Sequence, residues 1–286
     1  MQIHVIQVPY DSGHVRARMG RGPEHLVKNG LVELLQTQGH EPNLVLVQTN
    51  DEFTTEIGTS FDLARQTSTL VSNAVSQGAF PLVLSGNCNT ALGTIAGINP
   101  SHLGIIWFDG HGDFRTPDVS PNGFLDSMGL STAVGLCWKS VVSFIPNFQP
   151  ISGANVLHVG SRRLHSKERA LFDAAGVTLI GAEEIAFAGI HETLQAPLAK
   201  LRGNVKRVYL HVDLDVLDPG EAPTNEFAWP DGLSIRELKT AVRLVGRLFD
   251  VKAIGIASYD PQYDPERRTV EAAKHLVAAA LEIISS

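Results

Sequence analysis

The sequence predicts a three-layer α/β/α sandwich built on a mostly parallel sheet of about eight strands. Short runs rich in β-branched residues alternate with segments of helical spacing along the chain. Several of these runs are apolar on successive residues, as in Leu-Gly-Ile-Ile-Trp-Phe at 103–108. A strand that is apolar on both faces is typical of a parallel sheet that helices cover on each side.

The predicted strands and helices follow one another in a regular order. The strand segments are residues 3–8, 44–47, 81–85, 103–109, 155–159, 177–180, 207–213 and 251–257. The helical segments are residues 23–39, 61–77, 166–175, 190–201, 234–248 and 265–284. Ser234 and Glu237 form a capping box, because each side chain can satisfy a free amide in the first helical turn. Residues 114–131 lack periodicity, and a loop of that length in an α/β domain usually belongs to the active site.

Composition narrows the class of protein. The chain has 286 residues, 43% of them hydrophobic, and no linker or repeat divides it, so we expect a single domain over residues 1–286. Its 23 Lys and Arg against 30 Asp and Glu give a net charge of −7 without a basic block, which argues against nucleic acid as a partner. Two cysteines cannot provide a disulfide framework. With neither a signal-like start nor a long apolar run, we interpret the chain as soluble and cytoplasmic, with no membrane partner.

Potential metal ligands follow two of the predicted strands. Asp109, His111 and Asp113 come at the end of one strand, and extended backbone would place their side chains on one face. Asp213 and Asp215 end another strand with the same spacing. Each Asp-x-Asp pair taken alone is more often a turn or a helix cap than a metal site.

Cys88 follows a third strand, after a turn that Gly86 permits. In an open parallel sheet, ligands collect outside the carboxyl ends of the strands, where all three clusters lie. A buried cysteine is by default a small hydrophobic residue, and Cys137, between Leu136 and Trp138, fits that interpretation. Four carboxylates that converge on one edge would repel one another strongly unless cations neutralised them. We therefore expect two divalent metal ions there.

These motifs resemble those of the ureohydrolase family, the arginases, agmatinases and their relatives, over nearly the whole chain. Residues 85–89, Ser-Gly-Asn-Cys-Asn, stand where the family writes Gly-Gly-Asp-His-Ser. Residues 109–113, Asp-Gly-His-Gly-Asp, resemble its Asp-Ala-His-x-Asp, and residues 211–219 resemble its Ser-x-Asp-x-Asp-x-x-Asp-Pro. The sequence of residues 109–117 and the cysteine at position 88 are most similar to those of a branch of the family that includes the hydroxyarginine hydrolase of cycloserine biosynthesis.

The resemblance implies a fold, a cofactor and a reaction. It implies an eight-stranded α/β/α fold with a binuclear manganese site, whose bridging hydroxide attacks the carbon of a guanidinium or amidine. Family members commonly form trimers or hexamers, so we expect a homo-oligomer. Carried over by position, the metal ligands are Cys88, Asp109, His111, Asp113, Asp213 and Asp215, with Asp109 and Asp213 as bridges. Asp113 would also orient the hydroxide.

Four departures from the family pattern bear on the chemistry of the site. Cys88 replaces a ligand histidine, which makes the site more negative and the ligand softer, so zinc, iron or cobalt could compete with manganese. Asp126 stands in place of the proton-shuttling histidine. Ser258 replaces the glutamate that pairs with the guanidinium, and Arg163 stands where an aspartate often receives the substrate's α-amino group. Asp260 could swing in to replace the missing glutamate, and Arg163 could instead point to solvent.

Three functions remain open at this point. The first is a metal-dependent hydrolase that cleaves a C–N bond of a guanidino, hydroxyguanidino or amidine substrate, and that does not act as a plain arginase, because the pocket has lost a carboxylate and gained a cation. The second is a pseudoenzyme that retains metal for stability or partner binding. The third is redox sensing through the thiolate of Cys88.

Overall fold

The computed structural model describes residues 1–48 and 55–284. Its main sheet has eight strands: β1 Gln2–Val8, β4 Glu41–Leu46, β5 Phe80–Ser85, β6 Leu103–Phe108, β7 Val156–Ser161, β8 Thr178–Gly181, β9 Arg207–Asp213 and β10 Asp250–Ala257. Their order in the sheet is β4-β1-β5-β10-β9-β6-β7-β8, and every neighbouring pair is parallel. Two short strands, β2 Tyr10–Asp11 and β3 His14–Val15, form a separate antiparallel hairpin. The predicted fold class is confirmed.

Helices cover both faces of the sheet. One layer contains α1 Gly22–Leu26, α2 Val32–Thr37, α8 Ala182–Ala188, α9 Ile190–Asn204, α10 Ile235–Leu248 and α11 Arg268–Ile284. The other contains α3 Glu56–Ser76, α4 Ala91–Gly97, α5 Gly129–Ala133, α6 Lys139–Val142 and α7 Ser166–Ala175. Alternate residues of a strand serve the two layers: Ile106 packs in the first core and Trp107 in the second. In the part of the chain described, no helix has both the length and the apolarity to cross a membrane.

The first predicted helix, residues 23–39, is not continuous. A π-helical turn over Val27–Leu31 separates α1 from α2, and Gly30 within it has φ 97°. Glycine adopts this left-handed conformation at little cost, so the chain changes direction there without losing its apolar face. The short helices α4, α5, α6 and α8 are absent from the sequence prediction, because four to seven residues carry too little periodicity to reveal a helix.

The predicted capping box is confirmed. The amide of Glu237 donates to Ser234 Oγ at 3.2 Å, and the amide of Ser234 donates to Glu237 Oε2 at 2.8 Å. Within the main sheet, His158 in β7 and His211 in β9 are fully buried, whereas His4 in β1 is half-buried. Residues 114–131 form mostly loop, as expected, with a 3₁₀ turn at Asp126–Met128 that leads into α5.

Candidate metal centre

Four neighbouring strands deliver the candidate residues to one edge of the sheet. In the strand order, β5, β10, β9 and β6 are adjacent and parallel, so their carboxyl ends meet. Asp109 follows β6 and Asp213 ends β9. Ser258 follows β10, and Cys88 lies in a 3₁₀ turn just after β5. Residues far apart in the sequence therefore lie side by side.

Two groups of potential metal ligands share one carboxylate. The first group is Cys88, Asp109 and Asp213, and the second is Asp109, His111 and Asp215. Within each group the ligand atoms lie within 4.8 Å of one another. His111 Nδ1 is 3.2 Å from Asp215 Oδ2, and Cys88 Sγ is 3.0 Å from Asp213 Oδ2. The arrangement is that of a binuclear site in which Asp109 would serve both ions.

Hydrogen bonds fix the shared carboxylate from two sides. Trp107 Nε1 donates to Asp109 Oδ2 at 2.9 Å, and the amide of His111 donates to Asp109 Oδ1 at 2.6 Å. The amide of Asp215 likewise donates to Asp213 Oδ1 at 2.8 Å. Such outer partners orient metal ligands and are part of a metal site.

These side chains do not converge through the alternation of an extended strand that the sequence predicted. The strand β6 ends at Phe108, and Asp113 has φ 49°, so the backbone from 109 to 113 is not an extended strand. Asp213 and Asp215 are brought together by a 3₁₀ turn over Leu214–Val216. Asp113 is not a member of either ligand group among the residues described, but its buried side chain lines the adjoining cavity.

Without bound cations, the candidate metal centre carries an excess of negative charge. Burial and the neighbouring carboxylates hold the pKa of Asp113 and that of Asp213 well above their usual range. Burial opposes protonation of His111, yet Asp215 and Asp109 outweigh it and raise the pKa of the imidazole. Burial, and then Asp213, also raise the pKa of the Cys88 thiol. Bound cations would reverse these effects by supplying the missing positive charge.

The donor set fits divalent transition metals. Carboxylate, imidazole and thiolate are ligands for manganese, zinc, iron and cobalt, and three protein ligands per ion leave positions for a substrate or water. The thiol of Cys88 donates to Asp213 Oδ2 and lies 3.4 Å from Ser258 Oγ. Ser258 Oγ itself donates to the same Asp213 oxygen at 2.6 Å. Cys88 is thus placed for ligation, whereas Cys137 is buried beside Ser131 and Thr132.

A cavity of about 220 Å³ opens onto this centre. Its walls include the predicted residues Asp113, Asp126, Arg163 and Ser258. Three of them, Asp113, Arg163 and Ser258, have φ between 49° and 64°, a conformation that non-glycine residues rarely adopt. Backbone strain of this kind clusters at functional sites.

Asp126 braces the turn that carries Cys88. Its carboxylate accepts hydrogen bonds from Asn87 Nδ2 at 2.8 Å and from the amide of Asn89 at 2.9 Å. Burial raises the pKa of Asp126 to about 7, although these hydrogen bonds act to lower it. Asp126 is therefore next to the centre and inside the cavity.

Asp260 does not take the place of the missing glutamate. Its buried carboxylate pairs with Arg21 Nη2 at 2.8 Å and accepts the amide of Gln262. It does not line the cavity described above. Position 258 therefore presents a hydroxyl, with no carboxylate from this segment to replace the one that the family pattern has.

Several residues of the site were not predicted from the sequence. Trp107 holds Asp109, and Asn225 Nδ2 reaches the backbone oxygen of Ser258 at 2.6 Å. Glu168, Arg162 and Trp229 line the cavity. Glu168 lies on α7 and Trp229 in a loop, and their spacing from the motifs carries no signal. Of these residues, only Trp107 could have been predicted as a partner of Asp109, because it lies two residues earlier on the same face of the strand.

Comparison with known proteins agrees with this geometry. The model of the family described as "Arginase family" matches residues 1–282 of this chain. The arginase of Bacillus subtilis (strain 168) is 30% identical, over 98% of this chain and 97% of that protein. The arginase of Bacillus caldovelox is 26% identical over 97% of each chain.

Solved structures show the same similarity. A crystal structure of the Bacillus subtilis arginase superimposes with a TM-score of 0.89 at 27% identity, over 98% of each chain. The formimidoylglutamase of the same species shares the fold alone, with a TM-score of 0.78 at 20% identity over 99% of this chain and 86% of that one. The eight-stranded parallel sheet, the paired ligand groups at its carboxyl edge and the match over residues 1–282 lead to one conclusion: this chain belongs to the arginase family.

Proposed function

We propose that this protein is a binuclear metal hydrolase that cleaves a C–N bond of a weakly basic guanidino, hydroxyguanidino or amidine substrate. The observation that carries the proposal is the pair of ligand groups that share Asp109 at the base of a cavity. The arrangement of ligands supports two divalent ions. Manganese is the first candidate, and zinc, iron and cobalt are the alternatives, because Cys88 offers a softer ligand than histidine.

We assign some residues of the site to metal binding and others to proton transfer. When bound, the metal pair would supply a hydroxide nucleophile and stabilise negative charge on the substrate. Asp109 would be shared by both ions. Asp213, which the resemblance gives as a second bridge, belongs only to the ligand group of Cys88, so we propose it for that ion, and His111 and Asp215 for the other. Asp113, at the edge of the cavity, is proposed to complete the Cys88 side and to orient the nucleophile.

Asp126 is the proposed proton carrier. It lines the cavity and stands where the family pattern has a histidine, so we assign it the transfer of a proton to the leaving group. A positioned carboxyl group that gives or takes a proton typically contributes a rate factor of roughly 10²–10⁴.

Substrate basicity is proposed to follow from Ser258. Its hydroxyl is committed to Asp213 and offers no negative charge to a guanidinium. Loss of a carboxylate partner in a partly desolvated pocket removes on the order of 2–5 kcal/mol of attraction for a cation. Arg163 at the same cavity adds repulsion toward an ammonium group. Arginine and agmatine are therefore expected to be poor substrates, although relatives of this chain carry the name arginase.

Metal analysis and substrate comparison test the proposal together. Protein purified without added metal is assayed for metal content, and the manganese-loaded protein for urea and hydroxyurea release from arginine and hydroxyarginine. We expect higher kcat/KM for hydroxyarginine. Ser258→Glu should shift the preference toward arginine by roughly 30-fold or more, and the uncharged Ser258→Gln should not. A wild-type preference for arginine contradicts the proposed specificity, and metal binding without any hydrolysis indicates a pseudoenzyme.

A further inference from the structure

Each acidic side chain that lines the cavity either lies at or beside the candidate metal centre or already has hydrogen-bond partners. Asp113, Asp213 and Asp215 lie at or beside the candidate metal centre. Glu168 accepts hydrogen bonds from Arg115 Nε at 3.2 Å and from a backbone amide, so these two opposite charges satisfy each other. Asp126 is engaged by Asn87 and Asn89, as described above. The remaining charges of the lining are positive.

One of these positive charges, that of Arg162, is buried in the lining of the cavity. Arg162 is buried, and its guanidinium donates to the backbone oxygens of Val216 at 2.9 Å and Asp215 at 2.6 Å. Both acceptors are neutral, and Arg162 Nε has no hydrogen-bond partner. The positive charge of this residue is therefore not cancelled by a directly bonded carboxylate.

The other positive charge lies at the cavity surface. The Arg163 guanidinium carbon is 5.5 Å from the centre of the Trp229 ring, and that ring is 4.6 Å from the ring of His111. Arg163 also borders an outer cleft with Glu183, Glu184 and Asp231. Among the residues described, none of these carboxylates forms an ion pair with it.

We infer that Arg163, beside Trp229, binds an anionic group, a carboxylate, on the same substrate whose C–N bond is cleaved at the metal centre. A guanidinium presents two parallel donors that match a carboxylate, and the field of Arg162 behind the wall adds to the attraction. One indole ring separates this subsite from His111, so only a short spacer joins the carboxylate of the substrate to the reacting group. The inference rests on the proposed function for the identity of the reacting group.

Three hydroxyguanidines of equal chain length test this subsite. They end in a carboxylate, a methyl group or an ammonium group: 4-(N-hydroxyguanidino)butyrate, its butyl analogue and its 4-aminobutyl analogue. With the manganese-loaded enzyme, kcat/KM and the calorimetric Kd should favour the carboxylate over the methyl compound by at least tenfold. Arg163→Asn should abolish that advantage, since asparagine tolerates the left-handed backbone of this position while removing the charge.

Arg169→Gln is the matched control. Arg169 is an exposed arginine on α7 that pairs with Asp173 and does not line this cavity. The control should retain the preference for the carboxylate, and Arg163→Glu should transfer the preference to the ammonium compound. These charge-dependent shifts distinguish ligand contact from a general loss of stability.

The two readouts separate the inference from the function on which it rests. Hydrolysis of all three compounds without a carboxylate preference, or with one that Arg163→Asn retains, overturns the inference and leaves the proposed function standing. If none is hydrolysed but the carboxylate compound still binds more tightly through Arg163, the proposed reaction fails and the subsite stands. Equal Kd values for the three compounds overturn the inference in either case.

Discussion

At the scale of single residues, Cys88 is the ligand that most distinguishes this site. Cys88→Ser is expected to lower the affinity for one metal ion by roughly 10–100-fold or more, since loss of a residue that only hydrogen-bonds a ligand already costs that much. The affinity for the other ion should stay nearly unchanged. The reason is that a neutral hydroxyl is a poor substitute for thiolate, and only one ligand group contains Cys88. Metal content after dialysis against graded chelator measures both affinities.

Two variants control this measurement. Cys88→His supplies an imidazole and should retain two metals. Cys137→Ser changes a buried cysteine that contacts Thr132 away from the centre, and should retain both metals as well. Equal loss of metal from Cys88→Ser and Cys137→Ser would show that sulfur does not coordinate.

Asp126 gives a second prediction at this scale. Asp126→Asn should lower kcat by about 10²-fold or more with two metals still bound, because an amide cannot carry the proton. Its oxygen can still accept the Asn89 amide, so the Cys88 turn keeps part of its support. Loss of metal in this variant, with kcat restored by reloading, would contradict proton transfer and assign Asp126 to support of the turn alone.

At the scale of elements, the turn after β5 depends on close backbone packing. A Cβ on Gly86 would lie 2.1 Å from the backbone oxygen of Tyr10 and 2.8 Å from the amide of Gly20. Neither atom can move without shifting the N-terminal segment. Gly86→Ala is therefore expected to lower the free energy of unfolding by roughly 1–3 kcal/mol and to weaken metal binding through Cys88.

Gly203 in α9 is the matched glycine. A Cβ there meets nothing within 4 Å, and its φ is not left-handed. Gly203→Ala should raise the free energy of unfolding by up to about 1 kcal/mol, because alanine restricts the unfolded chain and favours the helix. Urea denaturation of both variants measures the opposite signs, and stabilisation by Gly86→Ala would refute the packing argument.

At the scale of the whole molecule, metal binding should couple to stability. Two ions that bind only the folded chain stabilise it by mass action, by about 2.7 kcal/mol for each ion at a free concentration of 100 Kd. The melting temperature should rise with manganese and fall after chelation. Asp109→Ala should remove the response, since Asp109 belongs to both groups, and the exposed Glu192→Gln should preserve it.

Homo-oligomerisation also stays a prediction at this scale. Phe187 on α8 is 94% exposed and Phe144 after α6 is 76% exposed, and aromatic side chains are enriched at the interfaces between protein chains. Light scattering of the purified protein measures the mass directly, and a monomer at micromolar concentration contradicts the expectation.

The sequence by itself determined the fold class and the edge of the sheet at which the ligands collect. Alternation of strand and helix and doubly apolar strands such as β6 are local properties of the chain, and burial on both faces follows from them. The motifs around Asp109 and Asp213 were recognisable because their ligands lie two residues apart. Their convergence needed only that parallel strands end at the same edge.

Only the tertiary structure decided which side chains face one another. The sequence could not place Trp229 between His111 and Arg163, direct Asp260 to Arg21, or set Asp126 against the turn of Cys88. Each of these contacts joins segments whose distance along the chain is unrelated to their distance in space. They depend on loop conformations, including the left-handed backbone at Arg163 and Ser258, which non-local packing imposes against local preference.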